Sequence, residues 1–67
     1  MSDWPTYRRI AKEVCTPREL DVLAYYVAGV PPYRIALALG ISRRTVRDRL
    51  DRVDRKVTNH PDWKETA

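Results

Sequence analysis

The sequence predicts a small all-α protein, a helical bundle of about four helices without strands. Apolar residues recur at intervals of three and four, as on one face of a helix. The most regular segment has them at Val46, Leu50, Val53 and Val57. Gly29 and Gly40, the two glycines, each follow such a segment, where glycine commonly ends a helix. At 67 residues the chain is long enough for one domain, spanning 1–67.

Two helices are predicted in the first half of the chain. The first covers 4–14 and follows Asp3, which can serve as its N-terminal cap. Its apolar stripe is Trp4, Tyr7, Ile10 and Val14. The second begins at a capping box of Thr16 and Glu19, with Pro17 at the first helical position. It continues to the first of the two glycines.

Two more helices follow, joined by a short turn. The third covers 32–39, and the fourth starts after the capping residue Ser42 and covers 43–57. The connection is short enough to hold them at a steep angle, which is a helix-turn-helix arrangement. The remaining residues, 58–67, are predicted to form a polar tail, because Pro61 interrupts any continuing helix.

The fourth helix carries the excess positive charge. From Arg43 to Lys56 there are seven basic and three acidic side chains, a surplus that equals the net charge of +4 of the whole chain. The pI is about 9.6. A helix with one apolar face and an Arg-rich far face suits the major groove, so nucleic acid is the leading partner class. No membrane partner is expected, because no run approaches the roughly 18 apolar residues of a span.

Residue types needed for catalysis or metal binding are sparse. Cys15 is the one cysteine and His60 the one histidine, so no intramolecular disulfide and no Cys-based zinc site can form. Paired carboxylates, a glycine-rich phosphate loop and catalytic-triad spacing are missing. We therefore expect a non-enzymatic protein without cofactor or metal, and a single cysteine is compatible with the reducing cytoplasm.

Several short motifs agree in order and spacing over the core segment 16–57. They are Thr16-Pro17-Arg18-Glu19, Val22-Leu23, Ala28-Gly29-Val30, Ile35-Ala36, Leu39-Gly40-Ile41-Ser42, Arg44-Thr45-Val46 and Arg55-Lys56-Val57. The pattern resembles the LuxR/FixJ-type helix-turn-helix DNA-binding domain, and region 4 of sigma-70 factors shares much of it. The resemblance implies a bacterial, plasmid or phage transcriptional regulator that binds double-stranded DNA sequence-specifically, with helix 43–57 as recognition helix. We expect it in the cytoplasm, at the nucleoid or in a phage-infected host.

The resemblance also implies a set of DNA-binding residues. They are Tyr33, Arg34, Ser42, Arg43, Arg44, Thr45, Arg47, Asp48, Asp51 and Arg52. Arg47, Asp48 and Asp51 match the positions that reach bases, whereas Arg43, Arg44 and Thr45 match positions nearer the DNA backbone. Arg47 is suited to guanine O6 and N7, and Asp48 to cytosine N4.

In an alternative interpretation, the charged side chains of the fourth helix do not contact bases. They would form i,i+4 ion pairs on a solvated helix, each worth only about 0.2–0.5 kcal/mol. The pairs would be Arg44–Asp48, Arg47–Asp51, Asp48–Arg52 and Asp51–Arg55.

Departures from the family pattern bear on protein partners. Pro31 and Pro32 stand where a capping Ser or Thr is usual, and Tyr33, Leu37 and Ala38 put apolar groups on an expected exposed face. Either the N-terminal helix covers Leu37 and Ala38, or these residues form a protein–protein surface. At the family's last helix, which commonly serves dimerisation, the chain has only the short tail, and the extra N-terminal helix is expected in its place.

Three partners and two further functions are consistent with the sequence. Beside double-stranded DNA we expect a homodimer, formed through the N-terminal helix, the Tyr33/Leu37 patch or Trp63. Contact with RNA polymerase or another regulator through Tyr33 and Leu37 would instead make the protein an adaptor resembling sigma region 4. A phage DNA-packaging or recombination accessory protein is the third interpretation.

Overall fold

The computed structural model describes residues 3–66, and this part of the chain contains five helices and no strand. The helices are α1 (Trp4–Val14), α2 (Pro17–Val27), α3 (Pro32–Leu39), α4 (Arg43–Thr58) and α5 (Pro61–Thr66). The predicted all-α bundle is confirmed. Its first four helices lie where the sequence patterns place them.

Side chains that satisfy free backbone groups determine where α2 and α4 begin. Thr16 Oγ1 accepts a hydrogen bond from the Glu19 amide at 3.3 Å, and Glu19 Oε1 accepts one from the Thr16 amide at 2.9 Å. This is the predicted capping box. Ser42 Oγ accepts from the Thr45 amide at 3.0 Å and caps α4. Asp3 stands at the N-cap position of α1, but its side chain makes no capping hydrogen bond.

Gly40 forms the tight turn between α3 and α4. Its φ of 67° lies in the left-handed region, which residues with a Cβ adopt at a cost. The Ile41 amide closes the turn by donating to the Ala36 carbonyl at 3.0 Å. Ile41 is half-buried and packs against the core beside α3, so the turn is held by both backbone and side chain.

The helix α4 contributes to both groups of buried apolar side chains. One group joins it to α1 and α2 and consists of Ile10, Ala11, Leu23, Val53 and Val57. The other joins it to α2 and α3 and consists of Val22, Ile35, Ala36 and Val46. Because α4 is packed at both ends, its exposed face has a fixed orientation relative to α2 and α3.

The tail predicted at 58–67 contains a helix that the prediction missed. Pro61 does stop the continuation of α4, but it also opens α5, because proline at the first helical position leaves no amide unsatisfied. Trp63 of α5 is half-buried and meets Tyr7 of α1 edge-on, with ring centroids 5.5 Å apart. Contact with α1 therefore stabilises a helix too short to form alone.

The N-terminal helix α1 does not cover the exposed face of α3. Leu37 is 79% exposed and Ala38 is exposed as well, so the interpretation in which α1 covers them is wrong. The apolar stripe of α1 packs instead on Val53 and Val57, near the C-terminal end of α4. A stripe shows which side chains turn inward, but it does not identify the helix that they meet.

A largely buried carboxylate links the start of α2 to the end of α4. Glu19 is 5% exposed, and its Oε1 accepts a hydrogen bond from Lys56 Nζ at 2.8 Å. The Lys56 hydrogen bond holds the pKa of the Glu19 carboxyl below its ordinary value, although burial acts in the opposite direction. Burial also raises the pKa of the neighbouring Cys15 thiol, which favours a packing role for this cysteine.

Candidate nucleic-acid interface

The exposed face of α4 lines an open groove of about 980 Å³. The α4 side chains in the lining are Arg43, Arg44, Arg47, Asp48, Leu50, Asp51 and Asp54. The other lining residues are Tyr7 of α1, Leu23 and Tyr26 of α2, and Pro32 and Tyr33 at the start of α3. The groove therefore lies where four helices meet, and α4 supplies all of its charged groups.

Six of the ten candidate residues line this groove. They are Tyr33, Arg43, Arg44, Arg47, Asp48 and Asp51. Arg34 and Arg52 are exposed but lie outside the lining. Ser42 and Thr45 are engaged with each other, since their hydroxyl oxygens are 2.9 Å apart and Ser42 caps the helix. The structure thus separates a groove-facing set from two flanking arginines and a capping pair.

Charge is distributed unevenly along the groove-facing side of α4. Three arginines occupy its first turns, and three aspartates, Asp48, Asp51 and Asp54, follow. Asp54 Oδ1 accepts a hydrogen bond from the Tyr7 hydroxyl at 3.1 Å. Partial burial of the Tyr7 hydroxyl and its proximity to Asp54 raise its pKa. Tyr7 therefore remains a hydrogen-bond donor, and Asp54 already has a partner within the protein.

The ion pairs proposed in the alternative interpretation are not formed. Within residues 3–64, whose side chains the structure describes, the ion pairs are Arg9–Glu13, Arg9–Asp62, Lys56–Glu19 and His60–Glu13. None of them includes Arg44, Arg47, Asp48 or Asp51. These four groove-facing charges are therefore available to a partner, and mutual pairing does not explain their presence.

Sequence reasoning missed two groove-lining tyrosines, Tyr7 and Tyr26. Tyr26 follows Leu23 by one helical turn, and both line the groove. This spacing is the signal that could have identified Tyr26 once Leu23 was known to lie beside the site. Nothing local indicates Tyr7, because its helix reaches the groove only through packing on α4.

Two other classes of site are absent from the described part of the chain. Among residues 3–64, for which side chains are described, no group of three or more His, Cys, Asp or Glu side chains could hold a metal ion. No helix within residues 3–66 has the length and apolar character needed to cross a membrane.

Comparison with known proteins supports the motif analysis. A family model described as bacterial regulatory proteins, luxR family, matches residues 13–62. This match covers α2, α3 and α4 together with the turns between them, and α1 lies almost entirely before it. No curated protein and no solved structure matches the chain. The chain therefore belongs to the luxR family of bacterial regulatory proteins, and it is a DNA-binding transcription regulator built on a helix-turn-helix.

Proposed function

We propose that the protein binds double-stranded DNA sequence-specifically and inserts α4 into the major groove as its recognition helix. The observation that carries this proposal is the groove-facing side of α4. There Arg43, Arg44 and Arg47 stand beside Asp48 and Asp51, exposed and without intramolecular ion pairs. The major groove, about 12 Å wide, admits a helix and presents distinct donors and acceptors for each base pair.

The side chains of this face have different roles in the proposal. Arg47 donates two hydrogen bonds to guanine, and Asp48 accepts one from cytosine N4, with Asp51 beside it. Arg43 and Arg44, at the helix start, neutralise phosphates. Phosphate contacts orient the protein without reading sequence. We place the remaining candidates, Tyr33, Arg34, Ser42, Thr45 and Arg52, at the phosphates that flank the reading residues.

Binding to random and selected duplexes at several salt concentrations tests this proposal. We expect measurable binding to random duplex, with log affinity falling linearly with log salt by about 0.9 per neutralised phosphate. Selection from a random library should return a defined site. Absence of salt-dependent binding, or a library that yields no preferred sequence, would contradict sequence-specific recognition.

Replacing Asp48 with alanine should raise affinity for random DNA roughly two- to fivefold, because a carboxylate close to phosphates repels them by about 0.5–1 kcal/mol in a solvated setting. Affinity for the selected site should rise less or fall, since the cytosine contact is lost. The ratio of the two affinities is the measurement. Asp21→Ala, which removes the same charge from an exposed position on α2, is the control and should leave the ratio unchanged. An unchanged ratio for Asp48→Ala would contradict the proposal that Asp48 contacts a base.

A second candidate function is contact with RNA polymerase or another regulator through α3. The observation that favours it is the 79% exposure of Leu37, with Tyr33 one turn away and 53% exposed. In this function the domain is an adaptor, and DNA contact serves to position it. The same patch is the best candidate for self-association, because Trp63 and the aromatic residues of α1 already pack against each other.

Replacing Leu37 with glutamate should convert a homodimer into a monomer, because a charge in an apolar interface is strongly unfavourable. A single small domain gains specificity by binding two half-sites, so we expect the wild type to sediment as a dimer at about 100 µM. Ala24→Glu, at an exposed position on α2, is the matched control and should remain dimeric. A monomeric wild type with a non-palindromic selected site would contradict the dimer and favour the adaptor.

A further inference from the structure

We propose that Tyr26, on the last turns of α2, is a DNA-backbone contact that donates its hydroxyl to a phosphate of the strand held against the arginines of α4. The inference rests on the proposed function. It extends the DNA-contacting surface beyond the helix-turn-helix pair itself to the preceding helix. No sequence motif of the chain indicates this position.

Tyr26 lies at the edge of the candidate interface. Its side chain is 53% exposed and lines the same groove as Arg43, Arg44 and Arg47. Its neighbour Tyr25 is 38% exposed but does not line the groove. Two adjacent tyrosines of one helix thus differ in whether they border the candidate interface.

The two tyrosines that line the groove on α1 and α2 differ in their hydrogen bonding. The Tyr7 hydroxyl donates to Asp54 and is therefore committed within the protein. The Tyr26 hydroxyl makes no hydrogen bond within residues 3–64, the part of the chain with described side chains, so it is free to donate to a ligand. A phenol is protonated at neutral pH and is among the side chains that commonly donate to phosphate oxygens.

The charge beside Tyr26 selects the ligand. Three arginines without intramolecular ion pairs share its groove, and an anionic strand is the ligand that satisfies guanidinium groups and a phenol hydroxyl together. A phosphate lying between the α4 arginines and the end of α2 would receive donors from both sides. Such a phosphate contact would fix how far α4 enters the major groove as well as the orientation of its axis.

The salt dependence of binding distinguishes a neutral hydrogen-bond donor from a charged one. Removing an arginine that neutralises a phosphate lowers both affinity and the slope of log affinity against log salt. Removing the Tyr26 hydroxyl should lower affinity but not the slope, because no counterion release is lost. A backbone contact should also weaken all duplexes alike.

Comparing Tyr26→Phe with Tyr25→Phe in the full chain tests the inference. Both variants keep the aromatic ring and the net charge, and thermal unfolding verifies that each is folded. Tyr26→Phe should bind random-sequence duplex and the selected site roughly three- to tenfold more weakly, the range expected for one hydrogen bond. Its salt slope should equal that of the wild type, and Tyr25→Phe should bind as the wild type does.

Each contrary result identifies what has failed. If the wild type does not bind duplex DNA, the proposed function fails and this inference falls with it. If the wild type binds and Arg43→Ala lowers the salt slope, but Tyr26→Phe binds as tightly as Tyr25→Phe, the inference alone is overturned. A loss confined to one base sequence would also overturn it, because Tyr26 would then contact a base rather than the backbone.

Discussion

Replacing Ile10 with alanine is expected to lower the free energy of unfolding by about 2–5 kcal/mol, the range for truncating a fully buried isoleucine. Ile10 has no exposed surface and packs with Leu23, Val53 and Val57. A domain of 67 residues has a total stability of about 3–10 kcal/mol. The substitution should therefore remove a large share of it, and a substantial unfolded population should appear.

Urea unfolding followed by circular dichroism measures this effect. Val27→Ala is the matched control, because it truncates an aliphatic side chain that is 50% exposed and lies outside the Tyr33/Leu37 patch, and it should change stability by less than about 0.5 kcal/mol. Equal midpoints for the two variants would show that α1 is not part of the core. This test matters because the family match begins at residue 13, after most of α1.

The first four helices could be predicted because their signals are local. Thr16 and Glu19 form the capping box that the sequence spacing indicates, and Gly40 adopts the left-handed conformation expected at a helix end. These features depend on residues a few positions apart. The helix α5 was not predictable in this way, because its stability depends on Trp63 meeting Tyr7 from the opposite end of the chain.

The candidate site, too, could be predicted where it depends on one helix but not where it depends on contacts between helices. Periodicity of about 100° per residue predicts that Arg44, Asp48, Asp51 and Arg55 lie opposite the buried valines of α4, with Arg47 on the flank. Of these five residues, all but Arg55 line the groove, and Arg55 is exposed outside its lining. Tyr26 belongs to another helix, and only the packing of α2 on α4 brings it beside them. The periodicity of one helix predicts which of its own side chains line a groove, but it does not predict which side chains the other helices contribute.

Replacing Arg47 with alanine should weaken binding to the selected site by about 1–3 kcal/mol, roughly 5- to 150-fold, and should relax base preference at one position. The reason is the loss of two hydrogen bonds to a guanine edge. Affinity for random duplex should fall much less. Fluorescence anisotropy with the selected site, its single-base variants and random duplex measures all three quantities.

Arg8→Ala is the matched control for Arg47→Ala. Arg8 is exposed on α1 and outside the groove lining, and its removal lowers the net charge equally. Because both variants lose one positive charge, an additional loss in Arg47→Ala that depends on the base sequence reports direct contact with a base. A variant that loses affinity without relaxing the preference at any position would reassign Arg47 to the phosphates. A variant that binds as Arg8→Ala does would mean that α4 presents a different face to the bases, with Arg44 and Arg55 the next residues to test.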